Sequence, residues 1–274
     1  VIWVRGAIVA DDALAVSVLD RTFEHGIGLF ETFRTWNGHV TLLQRHLDRL
    51  RASARVLGLP LDPAALPDEE AVRALGHADG HAADARFRIT LSGGVSATAG
   101  STLWMRSFPL GHDLFEEGLV LGPVRPARTD PLAVHKTLNY WPNRRMFEDA
   151  RADGFDECVT LTPDGNLWEC SRSNLFAVVD GEVLTPPCDG KVLPGIMRAL
   201  ILEQGCLLGL PIREAPLGLM DATFRPDEVF LTNAVRGIMP VRKWGEARFP
   251  APGPMARRLW DEIRAWLESG GGAT

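Results

Sequence analysis

The chain has 274 residues, enough for one large domain or two modest ones, with 46% apolar residues, 23% charged residues and a formal net charge of −6. No stretch is strongly basic, which argues against nucleic acid as a partner, and no apolar run approaches the ~18–20 residues of a membrane span. The opening VIWVRGAIVADD lacks a signal-peptide layout, and Cys158, Cys170, Cys188 and Cys206 form no CxxC pair. The expectation is a cytoplasmic protein with buried free thiols and no metal site.

The predicted elements follow in chain order. VIWVRGAIVA alternates around Gly6 as a short hairpin. In GLFETFRTWNGHVTLL (28–43), two β-rich runs flank Asn37-Gly38, a hairpin turn because both central positions need positive φ. QRHLDRLRASARVLGL places Leu47, Leu50, Ala54 and Leu57 at helical spacing and stops at Gly58 and Pro60. A second helix is expected from Asp68 to Leu75, then strands at 85–94 and 101–110. At GHDLFEEG (111–118) the pattern breaks. The division predicted is a small domain at 1–112, a linker at 113–118 and a large domain at 119–274.

Beyond that break, LVLGPVR reads as a strand and the chain then runs irregularly to Trp141. A helix follows, with Pro142 in its first turn and its end at Gly154. Hairpins are expected at Asp164-Gly165 and Asp180-Gly181, a helix opening at Gly195, a strand and turn in DEVFLTNAVRGIMPV, and an amphipathic C-terminal helix. Helices interspersed among many strands, rather than alternating with them, predict an α+β fold.

The residues that could carry chemistry are few. Only three of the 29 basic residues are lysines, and one of them, Lys136, stands in HKTLNYWPNRRM near Tyr140, the single tyrosine. No acidic residue lies within five positions of it on either side. A lysine becomes a nucleophile, and can form a Schiff base, where its surroundings lower its pKa. A snorkelling surface lysine is the alternative. LPGIMRALI starts a helix at Gly195, where free N–H groups and the helix dipole suit a phosphate. Glu169, in LWECSRSNLF, is a carboxylate on an apolar-flanked strand. It needs a partner, either Arg172 or a protonated ring nitrogen. Arg49 lies on an arginine-rich helix whose default is a solvated face.

Six blocks in order, DRTFEHGIGLFETFR, RHLDRL, HKTLNYWPN, LWECSRSNLF, VLPGIMR and FLTNAVRGIMPV, resemble the class IV (fold-type IV) aminotransferases and their lyase relatives. The resemblance covers most of the chain. It implies a two-domain α+β enzyme: a small N-terminal α/β sandwich, and a larger C-terminal β-barrel-like domain with helices. It also implies pyridoxal 5′-phosphate as cofactor, a homodimer, and a site at the domain boundary.

Carried over position by position, Lys136 matches the Schiff-base lysine and Glu169 the partner of the pyridine nitrogen. Arg49 matches the arginine on the cofactor phosphate, and Gly195, Ile196 and Met197 the helix start that also holds it. Tyr140 falls where relatives place a residue near the cofactor's 3-oxygen. Ser173 and Asn174 match the serine–asparagine after the glutamate. The FLTNAVR turn directs Asn233 and Ala234 to the cofactor and Val235 and Arg236 to the substrate. Ala234 departs from the aminotransferase branches, which often have a threonine there.

On the substrate side the implied residues are His25, Phe30, Arg34, Val235 and Arg236. Phe30 lacks the hydroxyl of the D-amino-acid branch, and the 93–100 loop lacks its arginine. The implied reaction moves an amino group from an amino acid or an (R)-amine to a 2-keto acid. The alternative is a 4-amino-4-deoxychorismate lyase, releasing pyruvate and 4-aminobenzoate.

Overall fold

The computed structural model describes residues 1–81, 84–128, 130–219 and 224–271. The chain forms two compact units. One comprises Val1–Gly111, His135–Tyr140 and Trp266–Thr274, and the other His112–Val134 and Trp141–Ala265.

In the first unit, β1 (Ile2–Val4) and β2 (Ala7–Val9) form the N-terminal hairpin. Then come α1 (Arg21–His25), β3 (Gly28–Arg34), α2 (Leu43–Val56), α3 (Glu69–Ala78), β4 (Arg86–Ser92) and β5 (Leu103–Phe108). Asp68 caps α3 by accepting from Ala71 N. The five strands make one antiparallel sheet in the order β2-β1-β5-β4-β3.

Strand alternation divides the sheet's residues between two faces. Leu29 and Phe33 share one face with Phe87, Ile89, Leu91 and Met105, and α2 adds Leu43, Leu47 and Leu50 to that core. Glu31 points the same way. The opposite face is basic. Thr32 pairs with Arg88 and Arg88 with Arg106, while Arg34 pairs with Arg86.

The strand expected after Asn37-Gly38 does not form. Asn37 (φ 49°) and Gly38 (φ 77°) make the turn as read, but only a Trp36–His39 bridge follows. At Leu42 the backbone is already left-handed (φ 70°) and enters α2. The edge of β3 is instead paired by the His135–Tyr140 segment. Phe30 N donates to the Lys136 carbonyl at 2.9 Å, and Leu138 N to the Gly28 carbonyl at 2.9 Å.

The second unit contains β6 (Leu119–Leu121), β7 (Arg125–Pro126), α4 (Trp141–Ala152), β8 (Val159–Leu161), β9 (Asn166–Cys170), β10 (Asn174–Val179) and β11 (Glu182–Thr185). After these come α5 (Ile196–Leu207), β12 (Ile212–Glu214), β13 (Leu217–Gly218), β14 (Glu228–Asn233), β15 (Gly237–Trp244), β16 (Ala247–Arg248) and α6 (Pro254–Glu268). Its sheet runs β16-β15-β14-β10-β9-β8-β7, with the remaining strands attached alongside. Leu121, Val159, Leu167, Leu175, Leu231 and Val241 are among the core residues.

The single strand expected in LVLGPVR is split. β6 pairs with β15 and β7 with β8, because Pro123 has no N–H for a ladder and Gly122 packs against Phe155. The Asp180-Gly181 hairpin forms as read, with both residues at positive φ. The expectation of buried thiols holds for Cys158 and Cys170, whereas Cys206, on α5, is exposed. Among the described residues no helix is long and apolar enough to cross a membrane, and no group of His, Cys, Asp and Glu is arranged to hold a metal.

Candidate active site

In the first unit, Lys136 is carried on the segment that borders β3. Its Nζ lies 4.5 Å from the centre of the Phe30 ring and 5.7 Å from that of Tyr140. Phe30 and Tyr140 meet edge to face, with centroids 5.1 Å apart. A fourth residue joins them. The Arg88 guanidinium on β4 sits 3.8 Å from the Phe30 ring centre. It is half-buried, and burial pushes it down to about 10, so it remains a cation at neutral pH.

Gly28 makes this arrangement possible. Its φ is +151°, and a Cβ there would come within 2.5 Å of Leu138 Cδ1 and 2.7 Å of the Leu91 carbonyl. The glycine lets the Lys136 segment lie close against β3.

On the other face of β3 stands a buried charge cluster. Glu31 is 1% exposed. Arg49 Nε donates to Oε1 at 2.8 Å and Arg49 Nη2 to Oε2 at 2.7 Å. His46 Nδ1 lies 2.7 Å from Oε2. Burial alone would raise the Glu31 carboxyl, but Arg49 and His46 outweigh it and hold the group at about 2. Burial lowers His46, so the imidazole is neutral and donates from Nδ1.

In the second unit, Glu169 is half-buried on β9, opposite Asn174 on β10. Glu169 Oε2 accepts from Leu193 N at 3.2 Å, while Asn174 Nδ2 donates to the Leu193 carbonyl at 3.0 Å. Two strand residues thus clamp the loop that leads into α5. Gly195 is the N-cap of α5, with no side chain capping it, and Ile196 and Met197 are buried in its first turn. A Cβ on Gly195 would overlap Asn174 Oδ1, so any larger residue there would displace the Asn174 amide.

Ser173 Oγ receives a 3.2 Å hydrogen bond from Asn233 Nδ2. Asn233 Oδ1 in turn accepts from Val235 N at 3.0 Å and Arg236 N at 2.9 Å. The turn therefore binds its own N–H groups through an asparagine side chain. Ala234 lies within that turn, and Arg236 Nη1 donates to the His112 carbonyl at 2.8 Å.

The structure brings Lys136, Phe30 and Tyr140 together, and it brings Glu169, Asn174 and Gly195 together. His25 is exposed at the end of α1, 3.7 Å from Glu24. Arg34 is engaged by Asp84 at 2.9 Å and stacks on Trp36. Arg49, whose default was a solvated face, is 12% exposed and bound to Glu31.

Sequence reasoning missed Glu31, His46 and Arg88. A signal existed for the first two: Glu31 alternates in phase with Leu29 and Phe33, and His46 and Arg49 share a helix face at i, i+3.

The donor set fits pyridoxal 5′-phosphate. In the second unit an uncapped helix start is suited to a phosphate and a carboxylate to a protonated ring nitrogen, and in the first unit a lysine amine is suited to an aldehyde. The mixed α/β architecture is that of the fold-type IV aminotransferases. Residues 28–244 match the family described as Amino-transferase class IV, and the chain belongs to that family. It is a pyridoxal phosphate-dependent transaminase.

It is 28% identical over 281 residues to the branched-chain-amino-acid aminotransferase of Escherichia coli, covering 94% of this chain and 90% of that one. It is 29% identical over 262 residues to the aminodeoxychorismate lyase of Bacillus subtilis, covering 90% and 88%. The solved branched-chain aminotransferase of Thermoproteus uzoniensis with norvaline superposes with a TM-score of 0.87, at 25% identity over 98% of this chain and 95% of that one.

Proposed function

We propose that Lys136 is the residue bonded to the cofactor, and that the chain moves an amino group between an apolar 2-amino acid and a 2-keto acid. The observation that carries this reading is the Lys136 amine held on the β3 border between Phe30 and Tyr140. An arginine could not replace it, because a guanidinium stays protonated and forms no imine.

Bound pyridoxal phosphate supplies the electron sink for the pair left when the substrate Cα–H bond breaks. Lys136 Nζ would bond the cofactor carbonyl and, as a free amine, would be the base that carries the substrate Cα proton. Glu169 would be the carboxylate partner of the ring nitrogen and would favour its protonated form. Arg49 in the first unit, and the backbone of Gly195, Ile196 and Met197 in the second, would bind the phosphate, and Ser173, Asn174, Asn233 and Ala234 are further candidates for cofactor contact. Tyr140 would lie near the cofactor ring and help to orient it. Arg88 takes the substrate carboxylate, a role supported by its cationic state beside Phe30. Arg34 is less suited to it, because Asp84 already neutralises it.

Phe30 and Tyr140 offer an apolar wall, which favours donors such as the branched-chain amino acids named in the relatives. His25, Val235 and Arg236 are the further candidates on the substrate side, and the working form is a homodimer by analogy with the family.

The test is a half-reaction in which the purified enzyme meets D-alanine, D-glutamate, L-leucine, L-glutamate and (R)-1-phenylethylamine in turn. Loss of the visible absorption band with one donor class, at stoichiometric keto product, supports transamination and names its handedness. Borohydride reduction should tag the peptide containing Lys136. A tag on Lys191 or Lys243 would refute the assignment.

The lyase reading has its own support in the Bacillus subtilis relative and in Ala234, which lacks a hydroxyl. If no donor bleaches the band while aminodeoxychorismate yields 4-aminobenzoate and pyruvate, that reading replaces transamination.

A further inference from the structure

Within the first unit, the Glu31 cluster is a buried ionic group that the proposed chemistry does not yet fully use. Burying a carboxylate is costly unless it is paired and hydrogen-bonded. Its neighbours on that face, Leu29, Phe33, Phe87 and Ile89, are apolar and fully buried. An apolar side chain there would extend the same core at less cost, so the carboxylate calls for a role beyond packing.

We propose that Glu31 is a positioning residue for Arg49, setting the plane of its guanidinium before an anion arrives, with His46 fixing Glu31 in turn. The inference rests on the reading of Arg49 as a cofactor-phosphate anchor. The pair is a two-pronged fork through Nε and Nη2, at 2.8 and 2.7 Å. Such a fork fixes the directions of all five guanidinium N–H bonds, since the group is planar.

A free arginine side chain is rich in rotamers, and an anchor must lose most of that freedom on binding. Glu31 removes that cost in advance, which is preorganisation. His46 Nδ1 pins Oε2 from the adjacent turn of α2, so the carboxylate cannot rotate away. All three side chains belong to β3 and α2, whose apolar residues form the core of the unit.

The experiment compares dissociation constants for pyridoxal 5′-phosphate and for pyridoxal on the full-length protein. The ratio of the two isolates the phosphate, and a merely structural ion pair would not move it. The variants are Glu31→Gln, Glu31→Asp and Arg49→Ala. Glu31→Gln should lower the phosphate preference about tenfold and leave pyridoxal binding unchanged, the loss expected for one charge-assisted contact. Glu31→Asp keeps the charge and withdraws it by one methylene. It should show a smaller loss of the same kind, and it carries the test if the glutamine variant does not fold. Arg49→Ala should abolish most of the preference.

An unchanged ratio in Glu31→Gln or Glu31→Asp, beside a collapsed ratio in Arg49→Ala, overturns the positioning role while Arg49 stays the anchor. An unchanged ratio in Arg49→Ala overturns the anchor reading, and the positioning role falls with it.

Discussion

The N–H of Phe30 donates to the carbonyl of Lys136 at 2.9 Å, which makes the lysine segment an added edge of the five-stranded sheet. Lys136 therefore owes its position to backbone pairing with β3 as well as to its own side chain. Perturbing that pairing should move the amine without touching it.

Gly28→Ala is the direct way to do so. A methyl group there meets both Leu138 Cδ1 and the Leu91 carbonyl, at a φ that favours glycine. The expected cost is about 2–3 kcal/mol of stability, the usual range for overpacking plus backbone strain. Thermal melts of the variant check this. The fraction of cofactor trapped by borohydride should fall as the Lys136 segment shifts. A variant with wild-type melting and trapping would show that the segment does not depend on this close approach.

Arg88→Ala should raise KM for carboxylate substrates about tenfold or more and change kcat much less. This is the pattern for an anchor used equally in ground and transition states. Arg88→Lys should recover only part of the loss, because an ammonium cannot make the planar two-pronged contact. Steady-state kinetics with L-leucine and a 2-keto acid separate the two parameters. A fall in kcat at constant KM would move Arg88 from carboxylate binding to the proton-transfer step.

The Glu31 cluster also predicts a pH dependence of stability. Arg49 and His46 bring Glu31 from the ordinary 4.5 down to about 2, against the upward push of burial. A depressed carboxyl stabilises the fold above its unfolded pKa, and the contribution fades as pH falls from about 4.5 to about 2. Its size is on the order of 3 kcal/mol. His46 works in the same direction at higher pH. Its folded pKa is lowered by burial, so its contribution is full above about 6.5 and declines on acidification. Urea unfolding of the wild type and Glu31→Gln should therefore differ most at neutral pH and converge toward pH 2. A constant gap across that window would contradict the linkage.

Glu157 should behave in the opposite sense. Burial raises its carboxyl, and the hydrogen bonds from Cys158 N, Ser171 N and Ser171 Oγ all go to Oε1. Glutamine keeps that oxygen and removes the charge. A raised carboxyl makes the wild type lose stability as pH climbs from the unfolded to the folded pKa. Glu157→Gln should then match the wild type near pH 4 and gain on it toward pH 8. Denaturation midpoints at the two pH values test it. A variant weaker than the wild type at pH 8 would mean that the second carboxylate oxygen is needed.

Much of the architecture was legible in the sequence because its signals are local. Asp180-Gly181 needs positive φ at both positions, which a type I′ hairpin supplies. Leu47, Leu50 and Ala54 recur at helical spacing, and Pro194-Gly195 marks a helix start. The strand after Asn37-Gly38 failed because a strand also needs a partner, and the residues that border β3 come from a segment far along the chain. LVLGPVR was split for a related reason, since its two halves found different partner strands on either side of a proline.

By itself the sequence determined the kinds of chemical group available: one lysine in an aromatic setting, a glutamate on a strand, a glycine at a helix mouth, and the family to which their order belongs. Only the tertiary structure decided which of these groups meet. Arg88 is remote from Lys136 in the chain and reaches the same phenyl ring through the β3–β4 register. Glu31 binds His46 and Arg49 because α2 packs on the face that strand alternation gives to Leu29 and Phe33. Such contacts depend on register and on which face is buried, properties that arise when distant segments pack and that no short stretch of sequence contains.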